Sequence, residues 1–577
     1  MSTFHARSSI ADVLAQVDAR AAIERIAPEV LESPLATDGI SFPLARVLPV
    51  ILDEGDPRVE ELLEALGVIE DRTPPAAESV PIAPRPDYEG DDVARGSASI
   101  VVPSDAALRR RVEILLTGPS HGNPFVDVEL HAVFSLGDEH VRVGGFYDGD
   151  GRYVVRFLPP AAGVWTVEVS STARSLDGVT ATLEVAASNE RGPVSVSNQF
   201  DFAYADGTRY TPLGTTAYVW TLQDEQLQEQ TLESLADAPF TKLRMGLFPK
   251  HFVYNANEPE RFPFPKDGEG WDTSRFDLDY FRHLERRIDQ LAELGIEADL
   301  ILFHPYDRWG FAAMGAAADD RYVGYIVRRL SAFVNVWWSL ANEYDLLLSK
   351  GVADWDRIAA IVRANDPVGH PLSIHNWIDL WDYSSEWATH CSIQSGSSLH
   401  GSVRDWRRRW SKPVIVDELG YEGDLEHGWG FLTAEEEVRR VWEVVLAGGY
   451  ATHGETFWEP GDVVFWAKGG RLRGESPARL AFLREIVAAS PTGALAPLRS
   501  DFDTMVGGVE GEYVITYFGA GQPRIRTVTV PAGRSARIDV IDTWNMTVDE
   551  VPGVHTGAVA VELPVRPYVA IRITVVD

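Results

Sequence analysis

The chain has 577 residues, is 45% hydrophobic and 24% charged, and carries a formal net charge of −34. That length exceeds a single hydrophobic core and implies roughly three to four domains. The acidity excludes the basic footprint that nucleic acid and anionic membranes require, so neither is an expected partner. One cysteine, Cys391, excludes an intrachain disulfide, and no apolar run reaches the length of about 18 residues that spans a membrane.

Residues 1–72 read as a small helical module. Apolar residues recur at helical spacing over 10–26 and again over 59–69 (VEELLEALGVI), with acidic residues in the first turn of the second run. It carries no chemical motif and is expected to serve packing or a homo-oligomer contact, a role the sandwiches described next could share. The start lacks an apolar leader core and a twin arginine, so the expected location is cytoplasmic. Residues 73–96, with TPPAA and PIAPRPDYEG, form a Pro-rich linker.

Residues 97–190 alternate short strands with Gly, Asp and Pro turns, the pattern of an immunoglobulin-like β-sandwich. Its DGDG at 148–151 is a hairpin turn and lacks the spacing of a calcium loop. From 198 to 490 strands alternate with amphipathic helices, which predicts a (β/α)8 TIM barrel. The eight strands are predicted at 210–215, 242–247, 297–304, 334–342, 371–375, 391–394, 413–418 and 450–458. Residues 491–577 return to strands and turns as a second, smaller β-sandwich. The fold class is therefore multidomain α/β: a barrel flanked by two sandwiches, with a helical module in front.

In such barrels chemistry belongs to the C-terminal ends of the strands. The fourth strand ends in Asn342 and Glu343 (VNVWWSLANEYD), and the seventh carries Glu418 (KPVIVDELG). Two facing carboxyl groups are what acetal cleavage needs, one to protonate the leaving oxygen and one to meet the oxocarbenium-like carbon. Glu343 is assigned as the acid, with Trp337 and Trp338 as apolar walls that would raise its pKa. Glu418 is assigned as the nucleophile, with Arg244 holding it ionised. Its nearby rivals are Asp417, Glu422 and above all Glu455, and Asp345 is a structural or subsite acid. Asn342 would donate to the sugar 2-hydroxyl, and Trp458 would form a stacking floor. The remaining strand tips supply candidate substrate-binding groups: His251, His304, His375, Asn376, Gln394, His453 and Glu455. Residues 259–271 and 399–410 are expected to line or lid the pocket, and Arg407 to Arg409 are expected on an exposed helix face.

LANEYD and PVIVDELG, with an arginine on the second strand, resemble the clan A retaining glycoside hydrolases. Within that clan, 202–221, 244–259, 412–424 and 448–460 look closest to the apiosidase-like catalytic domain families. Residues 117–130 and 143–159 are similar to the domain of unknown function that often precedes such barrels. The resemblance spans about residues 100–577 and leaves 1–72 outside it. It implies a retaining glycosidase with Glu343 as acid/base and Glu418 as nucleophile, without naming the sugar.

The expected function is thus an exo-acting retaining glycosidase on short oligosaccharides or glycosides, without cofactor or metal. A transglycosylase is a variant of the same chemistry. Two other classes compete: a metal-dependent hydrolase built on His304, His375 and His453, and a non-catalytic carbohydrate-binding barrel.

Overall fold

Eight parallel strands form the centre of the molecule. They are β1 (Leu213–Thr216), β2 (Lys242–Gly246), β3 (Glu297–Phe303), β4 (Val336–Ala341), β5 (Leu372–Ser373), β6 (Cys391–Gln394), β7 (Val414–Glu418) and β8 (Tyr450–His453). The sheet runs β5-β4-β3-β2-β1-β8-β7-β6, and a parallel bridge between His375 and Ser392 joins its two outer strands into a ring. Nearly every strand residue is buried, because side chains fill the inside while helices cover the outside. This computed structural model describes residues 3–37, 42–53, 55–73, 79–499 and 503–577.

Two predicted features differ. The eighth strand stops at His453 rather than 458, and Glu455–Thr456 pairs instead with Glu422–Gly423 in a separate two-strand ladder above the barrel. Residues 399–410 are not a lid. They form the helix Leu399–Trp410 that joins β6 to β7, with Arg407 buried, its guanidinium 3.9 Å from the centre of the Phe200 ring.

The N-terminal mouth of the barrel is plugged by a small antiparallel sheet, Val194–Val196, Phe202–Tyr204 and Arg209–Tyr210. Phe202 and Tyr210 pack there on Trp337, Ile415 and Tyr450. With that end sealed by aromatic rings, ligand access is left to the C-terminal mouth.

The front sandwich has seven strands between 99 and 185, around Phe134, Phe157 and Trp165. One strand, Glu139–Tyr147, serves both layers: residues 139–144 pair with Leu130–Leu136, and residues 145–147 pair with Arg152–Phe157. The crossover falls at Gly144–Gly145, where a Cβ on Gly145 would lie 2.5 Å from the Leu130 side chain. The sandwich meets the barrel through a buried ionic network. Arg156 donates to Glu285 at 2.6 and 2.9 Å, and Arg329 donates to Asp148 at 2.8 Å and also to Glu285.

The helices of the N-terminal module include Val17–Ile26, Leu44–Ile51 and Pro57–Leu66. Asp56 caps the last of these and Pro57 opens it, a pairing suited to a helix start. The apolar residues Phe4, Ile10, Val13, Ile23, Val47 and Leu62 form one continuous core with the barrel. The C-terminal unit is a six-stranded sheet facing the pair Ile525–Thr529 and Ala558–Glu562. It rests on the barrel helix Ala434–Leu446 through Trp442, which stacks on Tyr517. Among the described residues no helix is long and apolar enough to cross a membrane.

Candidate active site

Strand β4 runs straight to Ala341 and then turns sharply. Asn342 donates its backbone N–H to Phe303 at 2.9 Å, and Tyr344 donates to the His375 carbonyl at 2.9 Å. Between them Glu343 adopts a left-handed backbone, φ 51°. For a residue with a Cβ that conformation costs about 1–3 kcal/mol, and it persists where the surroundings hold it. Here the turn aims the Glu343 side chain into the barrel mouth, where Tyr306 donates its hydroxyl to Oε2. Glu343 is 4% exposed. Burial, then the charge of Glu418, push its pKa up to about 8, against the opposing pull of Tyr306 and Lys250.

Strand β7 solves a different problem. Successive strand residues point to opposite faces, so Asp417 and Glu418 could not both face inward on a regular strand. Between β6 and β7 the register shifts: Ile393 pairs with Val416, but Gln394 pairs with Glu418. The irregularity re-aims Glu418, a recurrent use of bulges beside active sites. Asp417 then points into the barrel below the site. It accepts from Lys242 at 2.8 Å, Thr452 at 2.7 Å and Ser392 at 2.6 Å, while Lys242 also bonds Asp299 at 2.6 Å. Asp417 is thereby a fixed structural anion, and not a rival for the chemistry.

Glu418 is 7% exposed and accepts from Arg244 at 3.0 Å and from the Tyr218 hydroxyl. Burial would raise its pKa, but His375, Arg244, Tyr218 and Tyr421 outweigh it and the carboxyl stays below its ordinary range. His375 Nε2 lies 3.8 Å away. Burial and Arg244 bring the His375 pKa down to about 3, so near neutral pH the cation that keeps Glu418 ionised is Arg244.

Gln394 lies between the two carboxylates. Assigned with nitrogen inward, its amide lies 3.2 Å from Glu343 Oε1 and 3.2 Å from Glu418 Oε2, since the opposite assignment would face an oxygen to both carboxylates. Those carboxylate oxygens therefore lie within twice 3.2 Å, or 6.4 Å, of each other. Asn376 holds Gln394 in place by accepting its backbone N–H at 3.2 Å. Asn342 turns its Oδ1 to Arg244 at 2.9 Å and Tyr218 at 3.1 Å. Its Nδ2 bonds no other described residue, which leaves a donor for a ligand.

An aromatic wall encloses the pair: Tyr218, Tyr306, Tyr421 and Trp466, with Trp466 edge-on to Tyr218 at 5.3 Å. Lys250 points its ammonium at three of these rings, 3.7 Å from Tyr218, 4.1 Å from Tyr306 and 4.3 Å from Trp466. Burial brings its pKa down to about 7. The three tyrosines and Trp466 were not singled out from sequence. A signal was present for the tyrosines: each lies two to three residues beyond the tip of its strand, in TTAYV, FHPYD and DELGY.

The structure thus brings Arg244, Asn342, Glu343, His375, Asn376, Gln394 and Glu418 together. None of the other predicted residues bonds either carboxyl group. Trp337 faces the plugged end and donates to Glu297 at 3.1 Å, and Trp338 faces outward to Asp366 at 3.0 Å, so neither walls Glu343. His304 contacts the Phe248 carbonyl at 3.2 Å behind the wall, its pKa brought down to about 3 by burial and Lys250. His251 is half-buried on the rim, edge-on to Trp309. His453 points out of the barrel and stacks on Phe240 at 4.7 Å, because Thr452 is the residue of β8 that faces in. Glu455 accepts backbone N–H groups of Arg473 and Gly474 in the ladder above the barrel. Trp458 is 49% exposed and lies beyond the end of β8. Asp345 accepts the N–H groups of Trp377, Ile378 and Asp379, organising the loop after β5.

His304, His375 and His453 do not converge. The ligating side chains that do come together among the described residues are Glu422, Glu437 and His453. Both oxygens of Glu437 and of Glu422 already accept backbone N–H groups, from Gly454, Glu422, Glu475 and Ser476. They are satisfied as pins between the barrel helix and the loops after β7 and β8, and the geometry of a metalloenzyme is not built here.

Comparison with known families agrees with this geometry. Residues 197–466 match the model of an apiosidase-like catalytic domain. Residues 110–172 match a domain of unknown function, DUF5060, and 502–574 match another, DUF5605. A solved structure from Bacteroides vulgatus ATCC 8482, provisionally described as a glycoside hydrolase, is 39% identical with a TM-score of 0.78, covering 82% of this chain and 100% of that one. This chain belongs to the apiosidase-like glycoside hydrolases. A family 5 glycoside hydrolase from Bacteroides vulgatus ATCC 8482 shares the fold at 18% identity, with a TM-score of 0.54 over 67% of this chain and 93% of its own. Another glycoside hydrolase does so at 16% identity and a TM-score of 0.52, over 67% of this chain and 97% of its own. Among curated proteins none matches. As an apiosidase-like hydrolase the protein is a glycosidase.

Proposed function

We propose that the enzyme hydrolyses its glycoside with net retention by double displacement, Glu418 as nucleophile and Glu343 as acid/base, and that it releases sugars from the ends of short oligosaccharides or glycosides. The observation that supports this reading is the Gln394 amide between the two side chains, which holds Glu343 Oε1 and Glu418 Oε2 within 6.4 Å of each other. Retaining glycosidases separate the pair by about 5–5.5 Å, whereas inverting ones need about 6.5–9.5 Å to admit a water between.

The electrostatics support the same assignment. A buried carboxyl with its pKa near 8 is protonated at neutral pH and can give its proton to the leaving oxygen. The Arg244-paired carboxylate is ionised and can attack the anomeric carbon. Once Glu418 is esterified its charge is gone, so one influence that raises the Glu343 pKa is removed. Glu343 is then ready to take a proton from the water that releases the sugar. The Asn342 amide donor is available for the sugar 2-hydroxyl, a contact that would strengthen in the transition state. The near-complete enclosure of both carboxylates favours a pocket over an open cleft, hence terminal sugars over internal bonds.

The test is a panel of nitrophenyl glycosides, furanosides included, followed by Glu343→Ala and Glu418→Ala on the best substrate. Each variant should lose about 10²–10⁴-fold or more in kcat. Azide should rescue both, giving a glycosyl azide of retained configuration from Glu343→Ala and of inverted configuration from Glu418→Ala. Near wild-type turnover in both variants would rule the assignment out.

A further inference from the structure

The acid/base is supported by a residue from outside the barrel. Tyr306, which bonds Glu343, has its ring held on three sides: Phe252 at 5.0 Å, the Lys250 ammonium at 4.1 Å, and Phe42 edge-on at 5.6 Å and 78°. Phe42 belongs to the N-terminal helical module, which none of the three family matches at 110–172, 197–466 and 502–574 includes. It is 2% exposed and its backbone is fixed within the module, its carbonyl accepting from Ile10 at 2.8 Å while the adjoining Leu44 donates to Ser8 at 3.0 Å. Phe42 also stacks on Trp377 at 6.4 Å, and Arg46 pairs with Asp379. Trp377 and Asp379 lie on the loop whose N–H groups Asp345 accepts, and Asp345 is two residues from Glu343. The module therefore reaches the acid/base by two routes, through the tyrosine that bonds its carboxyl and through the loop tied to its own turn.

We infer that the N-terminal module is part of the catalytic machinery, with Phe42 a positioning residue that holds Tyr306 and so sets the geometry of Glu343 as acid. The inference rests on the reading of Glu343 as acid/base. Phe42 is buried behind Tyr306 and need not touch substrate. Its effect should appear only in steps where a proton must reach a poor leaving group, because a small displacement of an aligned catalytic group is costly in the transition state and not in binding.

The experiment measures kcat/KM, which reports the first bond cleavage, for glycosides of one sugar carrying leaving groups from dinitrophenol, which departs unprotonated, to an alkyl alcohol, which does not. Phe42→Ala should lose about 10-fold or more on the alkyl glycoside and stay within about 2-fold on the dinitrophenyl one. Phe42→Leu, which keeps apolar volume, should recover part of the loss and supplies the reading if the alanine variant does not fold. Glu343→Ala, run alongside, should show the same leaving-group dependence more steeply. A uniform loss across leaving groups in the Phe42 variants, or none, overturns the inference while the Glu343 assignment stands. A Glu343→Ala variant without leaving-group dependence overturns the assignment itself.

Discussion

At the scale of single residues, two chemically identical side chains are set apart by their environments. Glu343 has burial, a neighbouring carboxylate and one tyrosine hydroxyl; Glu418 has Arg244 and a tyrosine. This difference has a consequence for stability. The folded state holds the Glu343 proton more tightly than the unfolded chain, where its pKa is near 4.5. The stabilisation is complete below about 4.5 and is lost as pH rises towards 8, where the folded protein must bury a charge that the unfolded chain gives up freely to water. Glutamine at 343 has no proton to lose. Glu343→Gln should therefore melt increasingly above wild type between pH 5 and 8, by an amount on the order of a few kcal/mol at the alkaline end. A melting difference independent of pH, followed by calorimetry, would show that Glu343 has an ordinary pKa. The residues legible in sequence at this scale were those at strand tips: Arg244, Asn342, Glu343, Gln394 and Glu418. Tyr306, Tyr218 and Trp466 were not singled out: the place of the tyrosines just past their strand tips is a signal, but which groups they meet depends on how the loops fold back.

At the scale of elements, the eight strands were readable because each is a buried apolar run bounded by turns, and all eight are present in the barrel. Side-chain direction was harder. The sequence assigns Glu418 with Asp417 as a nearby rival, and the register shift opposite Gln394 separates them, one into the ionic layer with Lys242 and the other towards Glu343. His453 was misplaced for the same reason: being one position off along β8 sends its ring to Phe240 outside the barrel, while Thr452 takes the inner face. The tryptophans of β4 were assigned to the site by proximity in sequence. Along a strand rising about 3.3 Å per residue, Trp337 is some six residues below Glu343 and therefore at the other mouth. The helix Leu399–Trp410 reads as a pocket-lining or lid segment because its arginine-rich surface hides its apolar stripe of Leu399, Val403 and Trp410.

At the scale of the whole molecule, the flanking units are not loosely tethered. The module shares the barrel core, and the front sandwich is locked by Arg156, Glu285, Arg329 and Asp148, all buried at the joint. Removing one partner of a buried ionic cluster costs about 3–5 kcal/mol, since it strands the remaining charges. Glu285→Ala leaves two buried guanidinium groups without their shared carboxylate. Wild-type enzyme should unfold with sandwich and barrel in one thermal transition, and Glu285→Ala should lower that transition and split the sandwich from it. Two resolved transitions in the wild type would show that the joint does not couple them. The sequence marked these units through their composition but carried no sign of how they dock, because the joint is made of arginines and acids that look like surface residues in one dimension.

Double displacement requires two carboxylates close enough for one to form a bond to the sugar while the other handles its proton. The anomeric configuration of the first-formed product, followed by proton NMR before mutarotation, tests this most directly. The sugar should appear first with the anomeric configuration of the substrate; a first product of opposite configuration would mean that water, and not Glu418, attacks the anomeric carbon.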